Sequence, residues 1–172
     1  MSHNSYKMKI KHKKDLEYIW GSIGFIIHLS SLIEHNVKLL ISGEELLQIF
    51  DNENISILDL VNAKEESNKK YKENDENRVM LGMLIKQLNK YDLYKDSDLI
   101  EKLRKASNIR GYYAHEFFKR DLYAKHLEND SLFYKRQIME DIDFLYTLNN
   151  ELLETIKKYK KLGLKLALNI NR

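Results

Sequence analysis

The segment SNIRGYYAHEFFKR, residues 107–120, carries an arginine and a histidine, Arg110 and His115, separated by four residues. Arginine offers a permanently charged planar fork that matches two phosphate oxygens and stabilises negative charge in a transition state. Histidine is the side chain whose proton exchange is best tuned to neutral pH. With an RNA 2′-hydroxyl as the nucleophile, this pair predicts phosphodiester cleavage that requires no cysteine, serine triad or metal ion.

The spacing of the pair restricts how the two side chains meet. On a straight α-helix a step of five residues rotates by about 140° and rises by about 7.5 Å, so Arg110 and His115 do not share one face. Convergence on one ligand requires a distortion of the helix, which Gly111 favours, or a second copy of the helix across a two-fold axis. The alternative interpretation is two cations near a helix end, where the helix dipole favours His115.

The composition limits the function classes. The net charge is only +3, which predicts no strong nonspecific affinity for nucleic acid, and the absence of cysteine excludes thiol nucleophiles, disulfides and Cys-ligated zinc. Basic clusters at 7–14 and 157–161 are interpreted as solvated helix ends, with phosphate contact as the alternative. The apolar stretch 21–33 is too short and interrupted for a membrane span, and no apolar signal segment follows the N-terminus. A cytoplasmic protein without membrane contact is expected.

A chain with no proline and six glycines suits long helices. Apolar periodicity predicts a single all-α domain over 1–172, a helical bundle of four to six helices, with a basic N-terminal arm (1–14) and an exposed or mobile loop (67–77). Asp15 is the predicted N-cap of the first helix, Gly43 its stop, and Asp98 with Glu101 a capping box. The helices are expected at 15–41, 42–50, 55–66, 78–91, 99–118 and 132–161.

Other polar and aromatic residues complete the candidate site. Tyr112 is a candidate for stacking on a base, the alternative being a ring packed within the helix. Glu116 is a candidate for orienting the substrate or a catalytic group, the alternative being an exposed carboxylate. Glu34 or His35 is expected to face the motif helix, and Glu34 is included among the substrate-binding candidates. His28 and His35 are seven residues apart with no third ligand in the pattern, so no metal site is expected.

The motif around Arg110 and His115 resembles the signature of a known family. IRGYYAHEFF resembles the signature of HEPN domains, in which an arginine, four to six residues and a histidine lie near the end of a helix, and RVMLGMLIKQL resembles the short helix that often precedes it. The resemblance implies a homodimer formed through the motif helix and a metal-independent endoribonuclease without cofactor, acting as a toxin or antiviral defence effector. In that family Arg110 would bind and polarise the scissile phosphate and His115 would transfer protons. RNA and a second copy are the implied partners, and the resemblance allows an antitoxin or regulatory protein as well.

The motif departs from the family pattern at two positions. Gly111 stands where a polar residue, often asparagine, usually follows the arginine. Phe117 stands two positions after the histidine, where toxins controlled by a nucleotidyltransferase carry a tyrosine that becomes modified, so that mode of control is not expected at this position. The alternative function is therefore a non-catalytic helical interaction or regulatory protein that retains the HEPN scaffold.

Overall fold

A computed structural model describes residues 10–50, 80–117 and 122–170, together with the single positions 62, 65, 66 and 69. Within the long ranges, the surroundings of side chains are described at 17–48, 80–117 and 133–162. Apart from those single positions, the helix predicted at 55–66 and the loop predicted at 67–77 lie outside the described residues, and so do the first nine residues of the basic arm.

Helix α1, Ile10–Phe50, passes without a break through the predicted start at Asp15 and the predicted stop at Gly43. Both predicted ends were wrong, and the separate helix predicted at 42–50 is the last part of α1. A glycine ends a helix by adopting a positive φ, and no glycine in the described residues does so. Gly43 instead lies against Tyr159, where an added Cβ would be 3.7 Å from the ring carbon Cγ.

Helix α2, Leu81–Leu88, is shorter than the predicted 78–91. Its apolar residues recur at helical spacing and pack into the core, which is why this short segment is helical. The buried residues are Leu81, Leu84, Ile85 and Leu88.

Helix α3, Asp98–Gly111, carries the first half of the motif. Its N-cap is Ser97, whose hydroxyl oxygen accepts from the Ile100 N–H at 3.4 Å. The predicted capping box was therefore wrong, because Asp98 already lies in the first turn and Glu101 pairs with Arg104.

Helix α4, Leu122–Ile170, contains the predicted 132–161 and extends beyond it at both ends. It runs parallel to α1. The hydrogen-bonded pairs Asn36–Asn149 and Tyr18–Met139 join the two helices with sequence separations of 113 and 121, nearly constant along their length. The Asn36 amide donates to the Asn149 side-chain oxygen at 2.8 Å, and both residues are buried, so this pair fixes the register of the two helices.

Helix α3 runs antiparallel to α4. The sequence separation of contacting residues falls from 49 for Lys102–Glu151 to 28 for Tyr113–Asp141, from the first part of α3 to the turn that follows it. All four helices contribute to one hydrophobic core. The prediction of an all-α helical bundle is confirmed, since every regular element in the described residues is helical. None of those helices offers an apolar run long enough to traverse a bilayer.

Candidate functional site

Arg110 lies in the last turn of α3 and points at α1. Its Nη1 donates to the Oε1 atom of Glu34, which forms an ion pair in which the Arg110 side chain is 32% exposed and that of Glu34 16%. Glu34 is the single charged residue between Tyr18 and Val37, in the stretch of α1 that supplies most of the buried isoleucines. The expectation that Glu34 lies against the motif helix agrees with this contact, which makes Glu34 a partner of Arg110.

The same carboxylate oxygen serves a second donor. The backbone N–H of Leu81, the first residue of α2, donates to Glu34 Oε1 at 3.0 Å. The first N–H groups of a helix have no partner within the helix and carry the positive end of its dipole, so a carboxylate is favoured there. One oxygen atom therefore ties α1, α2 and α3 together at the position of Arg110.

The segment that follows Arg110 is a π-helical turn, Tyr112–Glu116. The Phe117 N–H donates to the Tyr112 carbonyl at 2.8 Å, five residues back instead of four. Such a turn contains one residue more than an α-turn and is often found at functional sites. Because the wider turn reduces the rotation per residue, it turns His115 part of the way toward the face of Arg110. The helix is thus distorted between the two residues, and His115 is exposed.

Gly111 joins α3 to this turn in an ordinary right-handed conformation, with φ −57° and ψ −43°. A Cβ added at Gly111 would meet nothing within 4 Å. Neither the backbone nor the packing requires glycine at this position. A residue with a Cβ would be accommodated there.

Aromatic residues anchor the π-turn to the core. Tyr113 is 1% exposed, and its hydroxyl donates to Asp141 Oδ2 on α4 at 2.9 Å. The rings of Tyr112 and Tyr113 meet edge to face at 5.0 Å, and Phe117 extends the cluster to Tyr134 at 6.1 Å. This packing favours a structural role for the Tyr112 ring over base stacking.

Burial raises the pKa values of the two side chains that form this anchor, Tyr113 and Asp141. It raises the pKa of the Tyr113 hydroxyl far above its ordinary value, and the neighbouring Asp141 carboxylate raises it further. Burial also raises the pKa of Asp141, against the opposing effects of the hydrogen bond from Tyr113 and of the Lys105 ammonium. The Tyr113 hydroxyl consequently stays protonated at physiological pH and remains a hydrogen-bond donor.

The other candidates lie apart from the Arg110–Glu34 pair. Glu116 is exposed on the π-turn, and His28 and His35 are exposed on the outer side of α1. Phe117 is 7% exposed and belongs to the core. Within the described ranges, no three His, Asp or Glu side chains are grouped as metal ligands would be.

A second polar cluster was not predicted from the sequence. The Tyr159 hydroxyl donates to Glu44, and the hydroxyls of Tyr94 and Tyr159 are 2.6 Å apart, at the wall of an open pocket of about 620 Å³ near the C-terminal end of α1. Burial raises the pKa of Tyr94 to about 12. The cluster joins residues that are distant along the chain, so no local sequence pattern predicts it.

The arrangement at Arg110 can bind an anion next to a proton-exchanging group. Glu34 uses one N–H of the guanidinium, which has five, so donors remain for a phosphate. His115 lies in the π-turn that follows Arg110 and is exposed to solvent. Comparison with known proteins gave no match, whether to a family model, to a curated protein or to a solved structure.

Proposed function

We propose that this chain is a metal-independent endoribonuclease of the HEPN type. The observation that carries the proposal is the placement of Arg110 and His115. Arg110 is held by Glu34 with part of its guanidinium exposed, and His115 is exposed on the π-turn that follows. An anion-binding fork and a titratable imidazole on adjacent turns are the two groups that transesterification of RNA requires.

In the proposed reaction His115 removes the proton of an RNA 2′-hydroxyl. The 2′-oxygen forms a bond to phosphorus, the bond from phosphorus to the 5′-oxygen breaks, and the leaving oxygen takes up a proton. The products are a 2′,3′-cyclic phosphate and a 5′-hydroxyl. Arg110 donates to the non-bridging oxygens, where negative charge grows in the transition state.

The reaction requires both a proton acceptor and a proton donor. A composite site in a homodimer would supply them as two histidines, one neutral and one protonated, each beside its own Arg110. A role as a toxin or antiviral defence effector follows the HEPN resemblance. It predicts that production of the chain alone slows cell growth and that His115→Ala relieves the effect.

The test is cleavage of mixed-sequence RNA and of tRNA in EDTA, with wild type, Arg110→Ala and His115→Ala compared. Arg104→Ala is the matched control, because Arg104 lies on the same helix and is half exposed. Circular dichroism verifies that each variant is folded. Cleavage by wild type and Arg104→Ala, with a loss of at least about 100-fold in His115→Ala, is the expected result. Equal activity in all four proteins would refute the assignment.

A second candidate is a non-catalytic interaction protein on the same scaffold. Two observations favour it, since Arg110 is already paired and Gly111 leaves empty the space beside it that HEPN domains usually fill with a polar side chain. On this alternative, wild type does not cleave RNA, and neither activity nor toxicity depends on His115. Gly111→Asn adds the usual side chain at a position where a Cβ meets open space, so cleavage gained by this variant alone would show that the wild-type chain lacks a group that catalysis requires.

A further inference from the structure

Large apolar side chains remain exposed along the seam between the parallel helices α1 and α4. They form two rows, one on each helix, with a spacing of seven residues along the chain, and a hydrogen bond joins Tyr18 to Met139 at the first position of each row. Between 36% and 55% of each residue is exposed. This surface, called the α1/α4 face below, consists of Tyr18, Phe25, Leu32, Met139, Tyr146 and Leu153.

The register of the two rows is fixed within the protomer. The Tyr18 hydroxyl donates to the Met139 sulfur at 3.0 Å, and the Lys135 ammonium lies 5.6 Å from the centre of the Tyr18 ring. Farther along the seam the buried Asn36–Asn149 pair holds the same two helices. The two helices that carry the rows are therefore held together near both ends of the face, and each row of this ladder covers 14 residues of its helix, about 21 Å. Rows spaced by seven residues on neighbouring helices are the pattern that packs helices against further helices.

The outer side of α1 beside this ladder carries no formal charge. Between Tyr18 and Val37 the only charged residue is Glu34, which lies about 160° around the helix from Leu32 and is paired with Arg110. Apart from the ladder residues, the exposed positions are Trp20, Gly21, Gly24, His28, Ser31 and His35. Charged residues make up 32% of the chain. An exposed side of a helix that carries no charged residue therefore indicates a surface that another molecule covers.

Packing among the described residues does not require the two glycines on this side. A Cβ added at Gly21 or at Gly24 would meet nothing within 4 Å. Each glycine costs an α-helix about 1 kcal/mol relative to alanine. Together with the exposed ladder, they indicate a place where another helix approaches the α1 backbone closely.

From these observations we infer that the α1/α4 face binds a second copy of this chain. In a dimer with a two-fold axis, the same surface of both copies is in contact. A charged residue near the axis therefore lies against the identical residue of the other copy and repels it. The uncharged side of α1 meets that requirement, and the charged side chains beside the face, such as Lys135 and the exposed Asp143, lie on α4. An antiparallel arrangement about Phe25 sets Tyr18 of one copy against Leu32 of the other.

The exposed area is of the size that such an interface needs. At roughly 150–250 Å² per large side chain, the exposed fractions of the six ladder residues give on the order of 500 Å². The uncharged strip of α1 brings the face toward the roughly 800 Å² per partner of a standard interface. Glu34 and Arg110 lie on the other side of α1, so this contact is separate from the proposed catalytic site and does not rest on the proposed function.

The oligomeric state of the full chain tests the inference. Light scattering after size exclusion is expected to give wild type a mass of at least two chains of 20.6 kDa, and to give Phe25→Glu and Tyr146→Glu at most half of the wild-type mass, whether or not a dimer through the motif helix remains. Met83→Glu is the matched control, because Met83 is a 61% exposed apolar residue on α2, and it should keep the wild-type mass. Both face positions are exposed in the protomer, so the variants should fold, which circular dichroism verifies. A monomeric wild type, or a wild-type mass that is unchanged in both face variants, would overturn the inference.

The absence of cysteine allows a second, positional measurement. Phe25→Cys and Ala114→Cys each introduce a single thiol, the first on the α1/α4 face and the second at an exposed position of the π-turn. With a short bifunctional maleimide, Phe25→Cys is expected to form a covalent dimer rapidly, whether or not Ala114→Cys does so. Cross-linking of Ala114→Cys alone would place the dimer contact at the motif helix and refute the α1/α4 assignment.

Discussion

The ion pair between Glu34 and Arg110 makes a structural prediction that does not depend on RNA. Glu34→Ala removes the acceptor of two donors, the Arg110 guanidinium and the Leu81 N–H. An unpaired, partly buried backbone donor costs about 1–3 kcal/mol. The Arg110 contribution is smaller, about 1 kcal/mol, because a third of its side chain is exposed and water replaces part of the contact.

Together these losses predict that Glu34→Ala lowers the free energy of unfolding by about 2–4 kcal/mol. For a chain of this length that corresponds to a decrease in Tm of about 4–16 °C. Glu34→Gln should lose only about 1 kcal/mol, because its side-chain oxygen still accepts from both donors while the charge is removed.

Urea denaturation followed by circular dichroism measures these changes, with Asp143→Ala, which removes an exposed carboxylate of α4, as the control. A double-mutant cycle with Arg110→Ala isolates the pairwise energy, expected at about 1 kcal/mol. If Glu34→Ala is no less stable than Asp143→Ala, or if the cycle is additive within about 0.3 kcal/mol, the role assigned to this carboxylate is wrong.

Three further outcomes are expected. Asn36→Leu alone leaves the Asn149 amide buried without its partner and should cost about 1–3 kcal/mol in urea denaturation, whereas adding Asn149→Leu should recover most of that loss; an undiminished loss in the double variant would contradict the pairing. Burial raises the pKa of Asp141 in the folded state, so its carboxylate lowers stability as pH rises above its ordinary value of 3.8. Asp141→Asn still accepts from Tyr113, and its stability relative to wild type should therefore increase from pH 3.5 to pH 7 in thermal melts; a pH-independent difference would exclude the linkage. Gly111→Ala should raise the free energy of unfolding by about 0.5–1 kcal/mol, since the added methyl meets open space, and a loss of stability would show that glycine is required there.

Apolar periodicity was sufficient to predict that α1, α2, α3 and α4 are helical, but not where each helix begins and ends. Gly43 has the sequence appearance of a helix stop, yet it continues α1 because the Tyr159 ring packs against it from a helix at the other end of the chain. Similarly, Asp98 and Glu101 have the spacing of a capping box, while the neighbouring Ser97 provides the cap. These outcomes depend on which side chains meet in three dimensions, and local spacing does not contain that information.

The candidate site was predictable in its residue types and only partly in its geometry. The five-residue spacing of Arg110 and His115 required a distortion or a second chain, and the π-turn supplies the distortion. Neither the sharing of one Glu34 oxygen by two helices nor the anchoring of Tyr113 by Asp141 has a signal in the local sequence. Both contacts join residues that are far apart along the chain.

The parallel pairing of α1 with α4 has a consequence for how the protein is made. Residues that meet across this pair are separated by 113–121 positions, so α1 finds its partner only after α4 has been synthesised. At translation rates of about 5–20 residues per second, the side of α1 that packs against α4 waits roughly 6 to 24 s for its partner. During that interval it is a substrate for chaperones, and a nascent chain that stops before α4 lacks the Asp141 carboxylate that anchors Tyr113 of the π-turn. The π-turn that carries His115 therefore gains its anchor only after α4 has been synthesised.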